Sequence, residues 1–199
     1  MIGIIIAGFW MEPSHTSTMA LKEQLEISPA DVFEGDAIKL RPHLGLTTGA
    51  VGVRYNGSKE FISTSYKIWE KGKRISQNAS MSSTVKSPFQ GEVSVSLQDA
   101  SPDLNNQKFK GTIVISSETG YSSSTFFIDK FDPLVSEGYG PRNWNKTLLV
   151  DDDREVAIWG LFASDSFSTS ESLEEQAQKA DWAFLLKLKM EDEISAREK

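Results

Sequence analysis

"AVGVRYNGSKEFISTSYKIWEKGKRI", residues 50–75, decides the fold class of this chain. Apolar and polar side chains alternate over most of it, which is the period of a β-strand with one buried face. The pair Asn56-Gly57 divides the stretch, and Asn-Gly between two alternating runs is the strongest short-range hairpin signal. The sequence therefore predicts two strands joined in a hairpin at Asn56-Gly57. Seven side chains share its predicted inner face: Val51, Val53, Tyr55, Ile62, Thr64, Tyr66 and Ile68.

Similar alternation predicts strands in much of the remaining chain. A second turn, EKGKR (70–74), follows the strand that carries Trp69. In the last predicted strand, Lys187 and Lys189 point away from the apolar face. The further predicted strands are EVSVSLQD (92–99), KGTIVISS (110–117), SSTFFIDKF (123–131), EVAIWGLFAS (155–164) and WAFLLKLKM (182–190).

One short helix is predicted near the C-terminus, at about residues 172–181. Ser172 and Glu175 form the S-x-x-E pattern of a capping box, and Leu173, Ala177 and Ala180 form its apolar stripe. About eight strands, separated by turns rich in Gly, Pro, Asn and Ser, indicate a mainly β chain folded as an antiparallel β-sandwich. A closed barrel is the alternative within this class.

Composition excludes several classes of function. The chain has 199 residues and a net charge of −7, so a partner with a phosphate backbone is disfavoured, and no nucleic-acid partner is expected. It contains no cysteine, which excludes disulfides, thiolate metal sites and cysteine nucleophiles. No motif implies a cofactor.

The first residues, MIGIIIAGFWM (1–11), are almost uninterruptedly apolar. This run is shorter than the roughly 20 residues of a membrane span, and its length suits the apolar core of a signal peptide. We therefore expect residues 1–20 to be a signal peptide or an N-terminal membrane anchor. Residues 21–190 would form the sandwich, and residues 191–199 a charged, flexible tail. Two alternatives are a buried core strand at residues 2–10 and a short helix resting on the domain.

The chain offers few candidates for catalysis or metal binding. A Ser–His–Asp triad would depend on His43, but no G-x-S-x-G elbow accompanies it, so a surface histidine is the expectation. DASPDLNNQ (99–107) begins like a calcium loop, but Leu104 replaces the turn glycine and Lys110 replaces the closing glutamate. DDDRE (151–155) concentrates carboxylates, with a solvated turn as the ordinary explanation. The sequence thus predicts neither catalytic nor metal-binding residues.

The best candidate for a binding site is SEGYGPRNWN, residues 136–145, predicted as a loop. Tyr139 and Trp144 offer aromatic faces to sugars or peptide side chains, and Arg142 offers a clamp for a carboxylate or phosphate. Alternatively, Trp144 fills the end of the sandwich with Tyr139 beside it. Trp69 lies opposite the predicted inner face, so it is either a surface contact or covered by residues near the chain ends.

The strand and charged turn YKIWEKGKRI (66–75) resemble the central strands of bacterial immunoglobulin-like surface domains. Together with the apolar start, the chain resembles small exported cell-envelope proteins of Gram-positive bacteria, although the lipid-attachment cysteine common among them is absent. The resemblance implies an immunoglobulin-like sandwich outside the cytoplasm. The predicted function is a non-enzymatic binding module with a protein or glycan partner at the envelope, attached to a membrane only through its N-terminal segment. A carboxylate-dependent hydrolase and a cytoplasmic structural or immunity-type protein are the alternatives.

Overall fold

The computed structural model describes residues 24–100, 108–130, 139–164 and 172–193. Within these ranges all paired strands are antiparallel and form two sheets, so the chain is mainly β with a sandwich-like architecture, as predicted. Sheet A has the order β7-β6-β5-β2-β1-β9 and sheet B the order β4-β3-β11-β10-β8. The strands are β1 (Gln24–Ala30), β2 (Thr47–Tyr55), β3 (Phe61–Glu70), β4 (Lys73–Thr84), β5 (Phe89–Asp99), β6 (Lys108–Ser117), β7 (Gly120–Asp129), β8 (Tyr139–Asn143), β9 (Leu148–Asp151), β10 (Val156–Ala163) and β11 (Trp182–Glu191).

The predicted hairpin at Asn56-Gly57 is wrong. β2 pairs with β1 and β5 in sheet A, whereas β3 pairs with β4 and β11 in sheet B. Residues 56–60 therefore carry the chain from one sheet to the other, and Gly57 lacks the positive φ that a type I′ turn requires. The local reason is Tyr55: its ring lies against Gly57, and its hydroxyl accepts from the Lys59 backbone N–H at 3.0 Å.

A primed hairpin turn does occur at the second predicted turn. Lys71 and Gly72 have φ values of 49° and 75°, and Glu70 lies opposite Lys73 where β3 and β4 meet. Both central residues thus have the positive φ of a type I′ turn, whose twist matches that of the strands it joins. The sequence located this turn correctly, although Asn-Gly is the stronger signal for it.

The main core lies between the two sheets. All seven side chains predicted to share an inner face are buried in it, including Val53 at 1% exposure and Ile62 at 0%. The sheets also meet through stacked aromatic rings. The ring centroid of Phe126 on β7 lies 4.6 Å from that of Tyr66 on β3 and 5.9 Å from that of Phe184 on β11. The alternation of residue types therefore identified the buried faces correctly even where it misidentified the partner strand.

A short helix, α2 (Leu173–Lys179), covers part of the outer face of sheet B. Ser172 accepts from the Glu175 backbone N–H, and the Glu175 carboxylate accepts from the Ser172 backbone N–H, so both bonds of a capping box are present. Leu173 and Ala177 are buried against strands β10 and β11. We call this group the outer cluster; its buried members are Ala157, Phe162, Leu173, Ala177, Ala180, Ala183 and Leu185.

The connection between β1 and β2 contains a 3-10 turn (Gly35–Leu40) and helix α1 (Arg41–Leu44), and neither has a buried residue. No helix in the described ranges is long and apolar enough to cross a membrane. The predicted leader at residues 1–20, most of the calcium-like loop and most of the predicted tail lie outside the described residues.

Candidate functional site

Two of the predicted contact residues, Trp69 and Trp144, lie beside helix α2. Both are half-buried and pack against the outer cluster. The Trp144 indole N–H donates to the Ala157 carbonyl at 2.6 Å, which ties the segment after β8 to β10. Trp69 is covered on the outer face of sheet B, and its buried indole N–H has no hydrogen-bond partner among the described residues. In these positions, both rings pack against the cluster that holds α2 on sheet B.

The remaining two predicted contact residues, Tyr139 and Arg142, belong to β8, so this part of the predicted loop is an edge strand. Tyr139 lies opposite Ala163, on the core side, and its ring meets Phe109 edge-on at 6.1 Å between centroids. Arg142 lies opposite Gly160, on the outer face of sheet B. Tyr139 and Arg142 therefore project from opposite faces, and the structure does not bring all three predicted loop residues together.

A network of charges occupies the outer face of sheet B beside α2. Glu155, in the turn before β10, accepts hydrogen bonds from Ser65 at 2.7 Å and from the Lys67 ammonium at 2.6 Å. The Lys187 ammonium lies 3.1 Å from Glu155 and 3.0 Å from Glu174 of α2. The side chains of both lysines are at most 11% exposed, so these ion pairs are only weakly screened by water.

The network fixes the protonation state of its members. Burial by itself would raise the pKa of Glu155, but hydrogen bonds from Lys67 and Ser65 and the charge of Lys187 lower it to about 2. Burial by itself would lower the pKa of Lys187, but the carboxylates of Glu174 and Glu155 outweigh it and raise that pKa. Glu155 thus stays ionised at neutral pH and is unsuited to the role of general acid.

The carboxylates of DDDRE (151–155) do not converge on one site. Asp152 is buried and accepts from the Tyr55 hydroxyl at 2.8 Å, whereas Glu155 turns towards the two lysines. No group of three potential metal ligands occurs in the described ranges. His43 lies on α1, exposed and without a hydrogen bond or ion pair to another described residue.

A second acidic group lies on the outer face of sheet A, under the connection between β1 and β2. The pKa of Glu92 on β5 is raised, first by burial and then by the nearby charges of Glu34 and Asp31. The pKa of Asp31 is lowered, chiefly by its hydrogen bond from Arg41. Two carboxyl groups with opposite shifts are the pattern expected of an acid and a base that share a site.

Beyond Glu92, the outward-facing side chains of strands β5, β6 and β7 are at least partly exposed among the described residues. The register aligns small polar side chains there in rows: Ser96, Thr112 and Thr125 form one row, and Ser94, Val114 and Ser123 form the next. With Ser116, these residues form a surface that we call the hydroxyl strip. None of its six hydroxyls is hydrogen-bonded to another residue in the part of the chain that the structure describes, so they are available to a ligand.

Two exposed aromatic side chains flank the hydroxyl strip. Tyr121 is 76% exposed and Phe127 is 60% exposed, and both lie on the outer face of β7. Sequence reasoning missed them because it assigned no face to the residues of this strand. The structure supplies that assignment: because Ile128 is buried, the period of two places residues 121, 123, 125 and 127 on the opposite, outer face.

The chain was also compared with known proteins. No protein-family model, no curated protein and no solved structure matches it.

Proposed function

We propose that this protein is a non-enzymatic binding module of the cell envelope that holds a neutral glycan on the outer face of sheet A. The observation that carries the proposal is the hydroxyl strip with its two exposed aromatic side chains, Tyr121 and Phe127. Sugar rings stack on aromatic faces, and sugar hydroxyls exchange hydrogen bonds with serine and threonine hydroxyls.

The spacing of the two aromatic residues favours a polymer over a small molecule. They lie six residues apart on one strand with an unbroken register, which corresponds to about 20 Å at the rise of a β-strand. A ligand that reaches both rings must be extended. The side chains between them on β7, Ser123 and Thr125, are uncharged, so a neutral chain meets no unpaired charge along that line.

The rest of the molecule supports this choice of face. On sheet B, α2 covers the outer cluster, and the buried lysines are paired with Glu155 and Glu174. The net charge of −7 repels polyanions, which makes a neutral polymer the better partner.

Native affinity electrophoresis tests the proposal. We expect gels containing hydroxyethyl cellulose, mannan or xylan to retard the wild-type protein in at least one case, and gels containing heparin to have no such effect. Tyr121→Ala and Phe127→Ala should each weaken binding about tenfold, since each removes one stacking contact. Leu149→Ala, a substitution at a 62% exposed residue on the far edge of the same sheet, is the matched control and should bind normally. Retardation by heparin alone, or equal loss in the control, would contradict the proposal.

The envelope location is part of the proposal, and the apolar run at residues 1–11 supports it. Cell fractionation with N-terminal sequencing of the mature protein tests it. A new N-terminus near Leu21 indicates cleavage, and an intact Met1 in the membrane fraction indicates an anchor. An intact Met1 in the cytosol would contradict the envelope location and favour the cytoplasmic structural or immunity-type alternative.

We also propose a relation to bacterial immunoglobulin-like domains, limited to the layer architecture. What supports it is the packing of two antiparallel sheets around one core. The strand order differs from that of an immunoglobulin constant domain, which has seven strands in sheets ABED and CFG.

A carboxylate-dependent hydrolase is the second candidate, and the opposite pKa shifts of Glu92 and Asp31 favour it. In that case Glu92 would act as the acid and Asp31 as the base or nucleophile. A glycan that retards the protein in the affinity gels should then release reducing ends when it is incubated with the protein. Loss of this release in both Glu92→Gln and Asp31→Asn, with binding retained, would establish the hydrolase; its absence in the wild type would exclude this activity on that glycan.

A further inference from the structure

Three of the four edge strands in the described sheets have features that discourage pairing with another chain. β4 contains two bulges, where its register with β3 shifts around Ile75 and around Ser80. β8 has Pro141 at its centre, and β9 is only four residues long and is followed by two further aspartates. Bulges, prolines, charges and short length are the usual means by which proteins protect sheet edges.

The fourth edge strand, β7, has none of these features before its last residue, Asp129. It runs for ten residues, and its register with β6 is continuous from Lys108–Asp129 to Ser117–Gly120. No charged residue or proline occurs from Gly120 to Ile128. A long edge strand without bulges, proline or internal charges is a template for strand addition.

The contacts between β7 and sheet B leave this edge open. Ser122 and Ser124 point inwards and touch β4: the Ser122 hydroxyl lies 3.3 Å from that of Ser83, and Ser124 donates to the Ser80 carbonyl at 3.4 Å. These bonds use side chains of β7. Its backbone N–H and C=O groups have no partner strand besides β6 in the described ranges.

We propose that β7 pairs antiparallel with β7 of a second copy of this chain, about a two-fold axis at Ser124, so that the two A sheets become continuous. The inference does not depend on the proposed glycan. It does imply that a glycan would meet two hydroxyl strips side by side on one face, because a two-fold axis perpendicular to the sheet keeps both outer faces on the same side.

The sequence of β7 is complementary to itself in this register. Residues whose numbers sum to 248 lie opposite each other, so Tyr121 faces Phe127 of the second copy, and Ser123 faces Thr125 of the second copy. The two most exposed aromatic side chains of the strand thus form two cross-strand aromatic pairs on the outer face. No like charges oppose each other between residues 119 and 129. This self-complementarity is the reason to choose a second copy over another protein as the occupant.

One strand pair makes a small interface, below about 1,200 Å², which is typical of weak and reversible association. We therefore expect a dimer whose population increases with protein concentration between the micromolar and millimolar ranges. Sedimentation equilibrium of the wild-type protein, without glycan, measures this directly. A monomer over that whole range would overturn the proposal.

A charge exchange tests the register. The double variant Ser123→Glu/Thr125→Glu places glutamates opposite each other at two positions, and Ser123→Lys/Thr125→Lys does the same with lysines. We expect each variant alone to raise the dimer dissociation constant by roughly tenfold or more, since like charges directly opposite each other repel. A mixture of the two should form a heterodimer at least as tight as the wild-type dimer, a result that misfolded variants would not give. Failure of the mixture to associate would contradict this register.

The matched control is Thr112→Glu, one strand away from the edge but in the same hydroxyl strip. It should leave the dimer intact while it weakens glycan retention, so the dimer and the glycan proposal can fail independently. A dimer lost in Thr112→Glu as much as in the β7 variants would show that pairing does not occur through the edge of β7. Association of the wild type only with an added peptide or another protein would likewise count against a second copy.

Discussion

Trp159 occupies the space that a side chain at Gly49 of β2 would need. An added Cβ atom at residue 49 would lie 1.9 Å from Cδ1 of Trp159, whose side chain is 2% exposed in the main core. The indole of β10 thus lies directly on the backbone of β2 and joins the two sheets at this point. The close contact explains why glycine is required at this position of the strand.

We expect Gly49→Ala to lower the free energy of unfolding by about 1–3 kcal/mol, because Trp159 or the strand must move to make room. Urea unfolding followed by far-UV circular dichroism measures the change. Gly140→Ala is the matched control: it also lies in a strand, and no atom comes within 4 Å of its added Cβ, so its effect should stay within about 0.5 kcal/mol. Equal stability of both variants would contradict the close packing of Trp159 on β2.

Glu155 provides a pH-dependent contribution to stability. Its pKa in the folded protein, about 2, lies below its ordinary value of 4.5, so the carboxylate stabilises the fold fully above about pH 4.5. This contribution decreases as the pH falls from about 4.5 towards 2. Glu155→Gln should therefore lower the unfolding free energy by about 1–2 kcal/mol at pH 7, after allowance for the solvent screening of a side chain that is 28% exposed.

Urea unfolding of wild type and Glu155→Gln at several pH values between 2 and 7 checks this. The difference between the two proteins should become smaller below pH 4.5, because protonation then removes the same charge from the wild type. Glu118→Gln, in the exposed turn between β6 and β7, should differ little from the wild type throughout. A difference that persists unchanged at pH 2 would show that Glu155 does not act through its charge.

At the scale of elements, the stability of α2 depends on the capping box at its N-terminus and on its packing against sheet B. Seven residues are too few to form a stable helix alone. Ser172→Ala should cost about 1 kcal/mol, because it leaves the Glu175 backbone N–H without its acceptor, whereas Ser172→Asp should retain most of the stability. Hydrogen exchange of the α2 amides should accelerate in the alanine variant and much less in the aspartate variant. Equal exchange rates of the α2 amides in the alanine and aspartate variants would contradict a stabilising role of the capping box.

The strands illustrate what the sequence could and could not predict. Alternation identified the inner faces of β2 and β3 correctly, since burial of one face requires a period of two. It could not identify the partner strands, because every strand with one buried face has the same pattern. The decisive interactions for β2 are nonlocal: the Tyr55 hydroxyl donates to Asp152, a residue almost a hundred positions away.

The candidate surfaces were harder to predict for a related reason. Strand parity placed Trp69 on the outer face of sheet B, but whether α2 covers it depends on where a helix a hundred residues later packs. Tyr121 and Phe127 are apolar or aromatic, so composition alone groups them with the core. Their exposure follows from Ile128 being the buried member of the strand, which is visible only once the parity of β7 is fixed by its partners.

At the scale of the whole molecule, one core joins both sheets. Side chains from strands of sheets A and B belong to the same buried cluster, and the Tyr66, Phe126 and Phe184 rings stack across it. We therefore expect the sandwich to unfold in a single cooperative step. Tryptophan fluorescence and far-UV circular dichroism should give coincident urea transitions, since Trp159 reports on the main core and Trp144 on the outer face. Two separated transitions would show that one sheet, or α2 with its surroundings, unfolds independently.

The crossing at residues 56–60 has a consequence for how the chain reaches this structure. While the protein is being synthesised, β2 and β3 are adjacent along the chain, with matching patterns and a favourable Asn-Gly between them, so a non-native pairing competes for one edge of β3, whose other edge pairs with β4. The second native partner of β3 is β11, which pairs Met190 with Ile62 and follows β3 by more than a hundred residues. Such distant pairing slows folding. The nascent chain must therefore keep this edge of β3 unpaired, or release it from β2, until β11 has been made.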